Sequence, residues 1–372
     1  MKTLYKTDFD SVEKILTDYK SGCSDHYVPM ELLSFKASDY LGVHTDSVKL
    51  GSHEFGFTPL GERQFCRYIN INGSFFAKCN SSNRQGLYNQ FNAAAIEADP
   101  TKEIFVRTHN NAVRGVLSNN YGTFDDLRLF HMIKNILGEK AKDIEVRSFF
   151  KDDDSGHTNM QLFWKDDNVD IGTSPDGTPD IIKRGFNCSN SELGQGSIRI
   201  SPMIWRQWCT NGAVREVASQ SSLMRHFGDP KLLEKKIGAL IYNMDTFHVE
   251  MINRLKKSKE ERITKMEVEK FIRETAKTYT LNDDQANLIV SAWKKEEGDT
   301  KFHVANAFTR AAHESIAFDG HTGYELEVIG NKIIDSDLSE MIRNIERAQA
   351  AKDKNKKEAD TMKVWTHEYA NA

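Results

Sequence analysis

The chain lacks any run of about 18 apolar residues, so no transmembrane helix is expected. Its first residues, MKTLYKTDFDSVEK, lack the apolar core of a secretion signal, and a cytoplasmic protein is expected. Cysteine is sparse. The five residues Cys23, Cys66, Cys79, Cys188 and Cys209 lie far apart, with no C-x-x-C spacing. That excludes a zinc ribbon and suits free thiols in a reducing compartment. Also lacking are a G-x-S-x-G elbow, a G-x-x-x-x-G-K-[ST] phosphate loop and an H-E-x-x-H helix. The GQGS glycines have no helix after them and read as a turn rather than a dinucleotide cradle. Nor is there an excess of positive charge: 50 Lys and Arg against 54 Asp and Glu leave −4. A wholly basic coat for nucleic acid is excluded, although a local basic face is not.

What is present is a globular balance: 372 residues, 39% hydrophobic, 10% aromatic and 28% charged. This length fits two domains or one large one, and a core needs no staple of disulfide or metal. Residues 1–50 read as an arm or short helix packed on the main body, with Val12, Ile15 and Leu16 at helical spacing. Thr58 stands where an N-cap would open a helix holding Phe65, Tyr68 and Ile69. The Ser81-Ser82-Asn83 cluster reads as its break. A second helix over 86–98 should stop before Asp99-Pro100.

Ile104, Val106 and Thr108 then alternate with Phe105, Arg107 and His109. Asn110-Asn111 makes a turn, and 113–117 returns as a strand carrying Arg114. Asp125 and Asp126 open a helix that Gly138 ends. Strands recur over 144–164, about the DDDSGHT turn. A polar loop is expected over 165–181, then paired strands at 183–191 and 197–209 about a Gly194–Gly196 turn. From about Leu223 the pattern is helical: one long helix through LLEKKIGALIYNMDTFHVEMINRLKK, then helices at 264–278, 283–293, 304–318 and 332–351. A charged tail follows and is expected to be flexible. The fold class is α+β: an antiparallel sheet of five or six strands with flanking helices, followed by a helical C-terminal region. The expected division is a 1–50 arm, a 51–220 mixed domain, a 221–350 helical region and a 351–372 tail.

Catalytic chemistry finds little support. Residues 151–180 carry eight Asp against two Lys. A divalent-cation site wants carboxylates on rigid strands, whereas Asp152, Asp153 and Asp154 sit in a Gly/Ser turn and read as a solvated loop. Cys209 could pair with His226 as a nucleophile, but in an alternating strand it reads as a small buried hydrophobe. His303 and His313 would stand about 80° apart around a helix, without a third ligand. No catalytic residue, metal ligand or cofactor is assigned.

Basic residues interleaved with aromatics on β segments carry the functional reading. Residues 181–215 hold Lys183, Arg184, Arg199, Arg206 and Arg215 against Glu192 alone, a net +4. Trp205 and Trp208 flank Arg206, and Arg107 and Arg114 mark the earlier hairpin. A positive groove with stacking platforms is what single-strand binding requires. A second basic stretch, 254–277, has nine Lys and Arg against five Glu. Its i,i+4 opposites, such as Glu269 and Arg273, read as an exposed helix face.

Three stretches resemble the phage- and plasmid-encoded family called "domain of unknown function 932". They are VRGVLSNNYGTFDD (Leu117, Ser118, Tyr121, Asp125 and Asp126), GFNCSNSELGQGSIRISPMIWRQWCTNG (Ser191, Gly194, Arg199, Arg206, Cys209 and Asn211) and FHVANAFTRAAHE (Asn306, Ala307, Phe308 and Thr309). The likeness spreads over about residues 50–340. The polar 165–181 segment and the Trp205–Trp208 pair depart from the family pattern. The resemblance implies a mobile-element protein of the bacterial cytoplasm associated with DNA metabolism, and it brings no catalytic residues. The expected function is therefore single-stranded DNA binding, with strand annealing in recombination as its use and a homo-oligomer as its form. Its nucleic-acid-binding residues would be Arg107, Arg114, Lys183, Arg184, Arg199, Trp205, Arg206 and Trp208. The alternative is a non-enzymatic factor that binds a host defence or replication protein.

Overall fold

Asp8 accepts the backbone N–H of Ser11 at 2.7 Å and opens α1 (Phe9–Ser21), which buries Phe9, Val12, Leu16 and Tyr19. Around it the first 57 residues run β1 (Lys2–Thr7), β2 (Cys23–Pro29), β3 (Leu33–Lys36), β4 (Asp39–Tyr40), β5 (Val43–His44), β6 (Ser47–Leu50) and β7 (His53–Phe57). The segment expected as an arm thus supplies strands to every sheet. Four of these strands, β3 to β6, are only two or four residues long and carry too little alternation to be read from sequence.

Thr58 accepts from Gly61 N–H at 3.1 Å and opens α2 (Pro59–Tyr68), as its residue type predicts. A short α3 (Gly73–Phe76) follows. Ser81, expected as a break, instead begins α4 (Ser81–Ala98), because Asn80 caps it through Asn83 N–H at 2.9 Å. The expected hairpin forms as β8 (Glu103–His109) and β9 (Ala112–Leu117), and α5 (Asp126–Leu137) follows.

Next come β10 (Ile144–Asp152), β11 (His157–Thr173), β12 (Pro179–Ser191), β13 (Ile198–Arg206), β14 (Val214–Glu216) and β15 (Ser222–Met224). The polar loop expected over 165–181 is largely strand. In β11, Val169 and Ile171 turn inward while Asp166, Asn168 and Asp170 face solvent. The helices are α6 (Pro230–Tyr242), α7 (Met244–Glu260), α8 (Val268–Thr278), α9 (Asp283–Glu296), α10 (Lys301–Ser315), α11 (Gly320–Asp335) and α12 (Leu338–Ala370). The single long helix expected from Leu232 is broken at Asn243, whose amide donates back to Ala239 O at 2.8 Å. Sequence reading missed α11, and α12 continues through the tail expected to be flexible.

The computed structural model describes residues 2–173, 177–206, 214–216, 222–226, 230–296, 298–315 and 320–370. No helix among them is long and apolar enough to cross a membrane. The larger sheet has the order β1-β10-β11-β12-β13-β14, with β15 also on β13. The second has the order β2-β8-β9-β7-β6-β3, antiparallel except for the parallel β7–β9 pair, and β4 and β5 form a separate hairpin. The fold is α+β.

The chain divides into two compact units, each discontinuous in sequence. Unit 1 comprises Met1–Asp166, Gly185–Pro202 and Gln220–Met244, and unit 2 comprises Asp167–Arg184, Met203–Ser219 and Asp245–Ala372. One core of unit 1 packs Phe65, Phe76 and Tyr88 of α2–α4 on Phe35, Ile104, Val106 and Val113 of the second sheet. The core of unit 2 packs α7–α12 on Ile171, Ile182 and Ile204.

Candidate functional site

Arg107 and Arg114, expected on an open basic face, are buried in unit 1, and this reading is corrected. β8 is covered on both faces, with Ile104, Phe105, Val106, Arg107 and Thr108 all buried. An arginine there must find partners inside. Arg107 grips Asp25, its cross-strand neighbour on β2, through Nε (2.9 Å) and Nη2 (3.2 Å). It also donates to Asp125 Oδ1 (2.5 Å) and to the Glu192 carbonyl (2.9 Å). Arg114 donates to Glu192 Oε2 (2.5 Å) and to Tyr19 Oη (3.3 Å).

The network extends through α5. Asp126 accepts from Lys151 Nζ (2.6 Å), Thr158 Oγ1 (2.5 Å) and Asn190 Nδ2 (2.7 Å), and its own N–H donates to Glu192 Oε1 (2.8 Å). Lys20 completes it by pairing with Asp125. Four cations (Lys20, Arg107, Arg114 and Lys151) thus face four carboxylates (Asp25, Asp125, Asp126 and Glu192).

The turn that carries Glu192 is locked from both sides. Leu193 fills the hollow over two glycines: a Cβ on Gly115 or Gly156 would stand 2.8 or 2.6 Å from its side chain. Gln64 donates to the Leu193 carbonyl (2.7 Å) while accepting Val116 N–H (2.9 Å). Tyr121 donates to the Ser191 carbonyl (3.0 Å) and stacks on the buried His226 at 5.1 Å. Two of the boxes quoted above, one at 117–126 and one beginning at Ser191, therefore meet around Glu192.

Electrostatics follow from that burial. Burial pushes the Asp125 carboxyl up, but Arg107 and Lys20 outweigh it and hold its pKa at about 2. Glu192 is likewise held low, because Lys151 and Arg114 overcome its desolvation. Asp126 goes the other way: complete burial and the Glu192 charge raise it against the pull of Lys151. Burial lifts the Tyr19 hydroxyl to about 12 despite Arg114 and Lys151 beside it. His226 is pushed down by burial.

Lys20 and Asp125 also line a cleft of about 660 Å³ bounded by α1, α5 and α6, with Leu127, Met132 and Ile136 as its apolar wall. Sequence reading missed both network and cleft. The available signal was Glu192 itself, a lone acid in a stretch otherwise carrying five cations.

The remaining predicted residues separate. Lys183 and Arg184 are consecutive on β12 and so point to opposite faces. Arg184 is half-buried and binds Asp167 (2.6 Å) and Asp245 (3.5 Å) within unit 2. Lys183 stands 5.9 Å over the ring of Trp205, and both are half-buried. Each is one residue on from a core isoleucine, Ile182 or Ile204, so the pair lies on the strand face away from the helical core. Arg199 is half-buried on β13 in unit 1. Arg206 ends β13, its side chain outside the described residues, and Trp208, Cys209 and Asn211 lie wholly outside them.

Asp152 closes its turn by accepting from Ser155 Oγ (2.6 Å) and Asp154 N–H (3.3 Å). Among the described residues no group of three His, Cys, Asp or Glu stands where it could hold a metal ion. His303 is held by Thr300 at 2.7 Å, and Arg273 pairs with Glu269 at 2.9 Å as its helix spacing predicts. No family model, curated protein or solved structure matches the chain.

Proposed function

We propose that the protein binds single-stranded nucleic acid, DNA first among candidates, and uses it in strand annealing without catalysing a covalent step. The reading rests on the Lys183–Trp205 pair. A cation beside an indole, half-open on neighbouring strands and away from the core, offers one phosphate contact and one stacking surface. Arg107 and Arg114 have no part in it, because both guanidinium groups are buried inside unit 1 and face carboxylates there.

The test is titration of a labelled oligonucleotide by the whole chain across a salt series. Affinity should fall steeply with salt, and Trp205→Ala should weaken binding by roughly 5- to 150-fold at constant salt. A flat salt response, or full affinity in Trp205→Ala, would remove the proposal. A second reading, docking to a protein, is favoured by the exposed apolar hairpin at Tyr40, Leu41 and Val43.

A further inference from the structure

Three helix ends of unit 2 meet around a cavity of about 400 Å³: the last turns of α8 and α11 and the first of α12. Its lining is acidic. Asp335, Asp337 and Glu340 contribute to it, and among the described residues no Lys, Arg or His does. The carbonyl ends of α8 and α11 add partial negative charge. The three acids are differently employed. Asp335 is met from outside the lining by Arg254 (3.4 Å). Asp337 caps α12 by accepting Glu340 N–H (2.8 Å), and Lys257 and Arg343 pull on it. Glu340 stands third inside that cap, where a glutamate commonly reaches back to the capping residue's own N–H. It makes no such bond, and among the described residues no cation pairs with it; its carboxylate lines the cavity instead. A second, independent sign comes from Thr275. The neighbouring Thr278 donates its hydroxyl to the carbonyl four residues back, Glu274 O (3.0 Å), and Ser336 does the same to Lys332 O (2.7 Å). Thr275 is only 2% exposed, lines the same cavity, and its Oγ1 bonds nothing in the protein. A buried hydroxyl without a partner calls for one.

We infer that this cavity binds a small organic ammonium ion, with Glu340 as its counter-charge and the Thr275 hydroxyl oxygen as a further acceptor. The volume is that of a ligand pocket rather than of a bare ion. A metal ion is disfavoured further, since no group of three His, Cys, Asp or Glu among the described residues stands where it could hold one. An anion would face carboxylates without a lining cation. The remaining wall suits a short alkyl chain: Met341 and Ile345 are apolar, and Tyr279 presents a ring. Lys332, from outside the lining, already holds its ammonium 5.5 Å over that ring, so the ring serves a cation within the chain itself. The cavity lies wholly in unit 2, and the assignment stands apart from the nucleic-acid reading.

Calorimetric titration of the full chain with butane-1,4-diamine tests it. One saturable site per chain is expected, with a Kd of about 1 mM or below. Butane-1,4-diol, the uncharged counterpart, should give none. Glu340→Gln, which keeps the shape and removes the charge, should weaken binding by roughly tenfold or more. Thr275→Val should weaken it by roughly threefold or more, yet melt no lower than wild type, because the hydroxyl it removes bonds nothing in the protein. Glu97→Gln, on α4 of unit 1, should leave the affinity unchanged. Absence of saturable binding overturns the inference, as does equal binding of the diol. Full affinity in Glu340→Gln or in Thr275→Val also overturns it, and so does a lower melting temperature in the latter. A loss in Glu97→Gln that matches Glu340→Gln would reduce the effect to counter-ion screening. Magnesium ions that displace the diamine, where sodium chloride of equal ionic strength does not, would assign the cavity to a metal ion instead.

Discussion

Glu192 holds two buried cations, donated to directly by Arg114 and with Lys151 at 3.9 Å. Replacing it with glutamine leaves those cations with one fewer opposing charge. Removing one partner from a buried ionic group costs about 3–5 kcal/mol. Urea unfolding of Glu192→Gln should register a loss of that order. Acid should act through the same residues. Asp125 is held near pKa 2 against an ordinary value of 3.8, so its contribution is present above about pH 4 and disappears as pH falls towards 2. Glu192, also depressed, works in the same direction, while Asp126, raised, opposes it. His109, His157 and His226 are all depressed by burial, so they favour the fold when neutral and weaken it as pH drops below about 6.5. Thermal melts from pH 7.5 to 2.5 should decline in two stages, and Asp125→Asn should flatten the lower one. None of these partnerships was legible in the sequence. Arg107 alternates with apolar residues as a surface arginine would, and its acids, Asp25 and Asp125, lie on β2 and just before α5.

Several element boundaries were readable from a capping or turn residue, although Asn80, which caps α4, was passed over. Thr58, Asn110-Asn111, Asp125 and Gly138 each marked a real boundary. Thr58→Ala should therefore cost α2 about 1 kcal/mol, read as a shift in the urea midpoint at constant slope. The second half of β11, from Lys165 on, was hidden because its outward residues include aspartate and asparagine, which composition assigns to loops. The inward Val169 and Ile171 were the only trace of its period. Gly156 also belongs here: at φ 63°, with Leu193 where a side chain would stand, Gly156→Ala should displace the Glu192 turn. Its melting temperature should fall well below that of Thr58→Ala.

At the scale of the whole molecule, the α+β class and the helical C-terminal region were legible, because helical periodicity over a dozen residues survives without tertiary information. The interleaving of the two units was not. Asp167–Arg184 and Met203–Ser219 belong with helices that follow them by many residues, and no linker composition marks the exchange. The basic face expected from linear proximity divides accordingly. Two of its arginines neutralise acids inside unit 1, Arg184 binds Asp167 in unit 2, and Lys183 stands over Trp205 on the strand face opposite Ile182 and Ile204. The structural arginines and the proposed binding lysine therefore make opposite predictions in one assay, the dependence of oligonucleotide affinity on salt. Lys183→Ala should lower the slope of log affinity against log salt by about one, while Arg107→Lys should destabilise the fold and leave the slope as it is. A slope unchanged in Lys183→Ala would contradict the account.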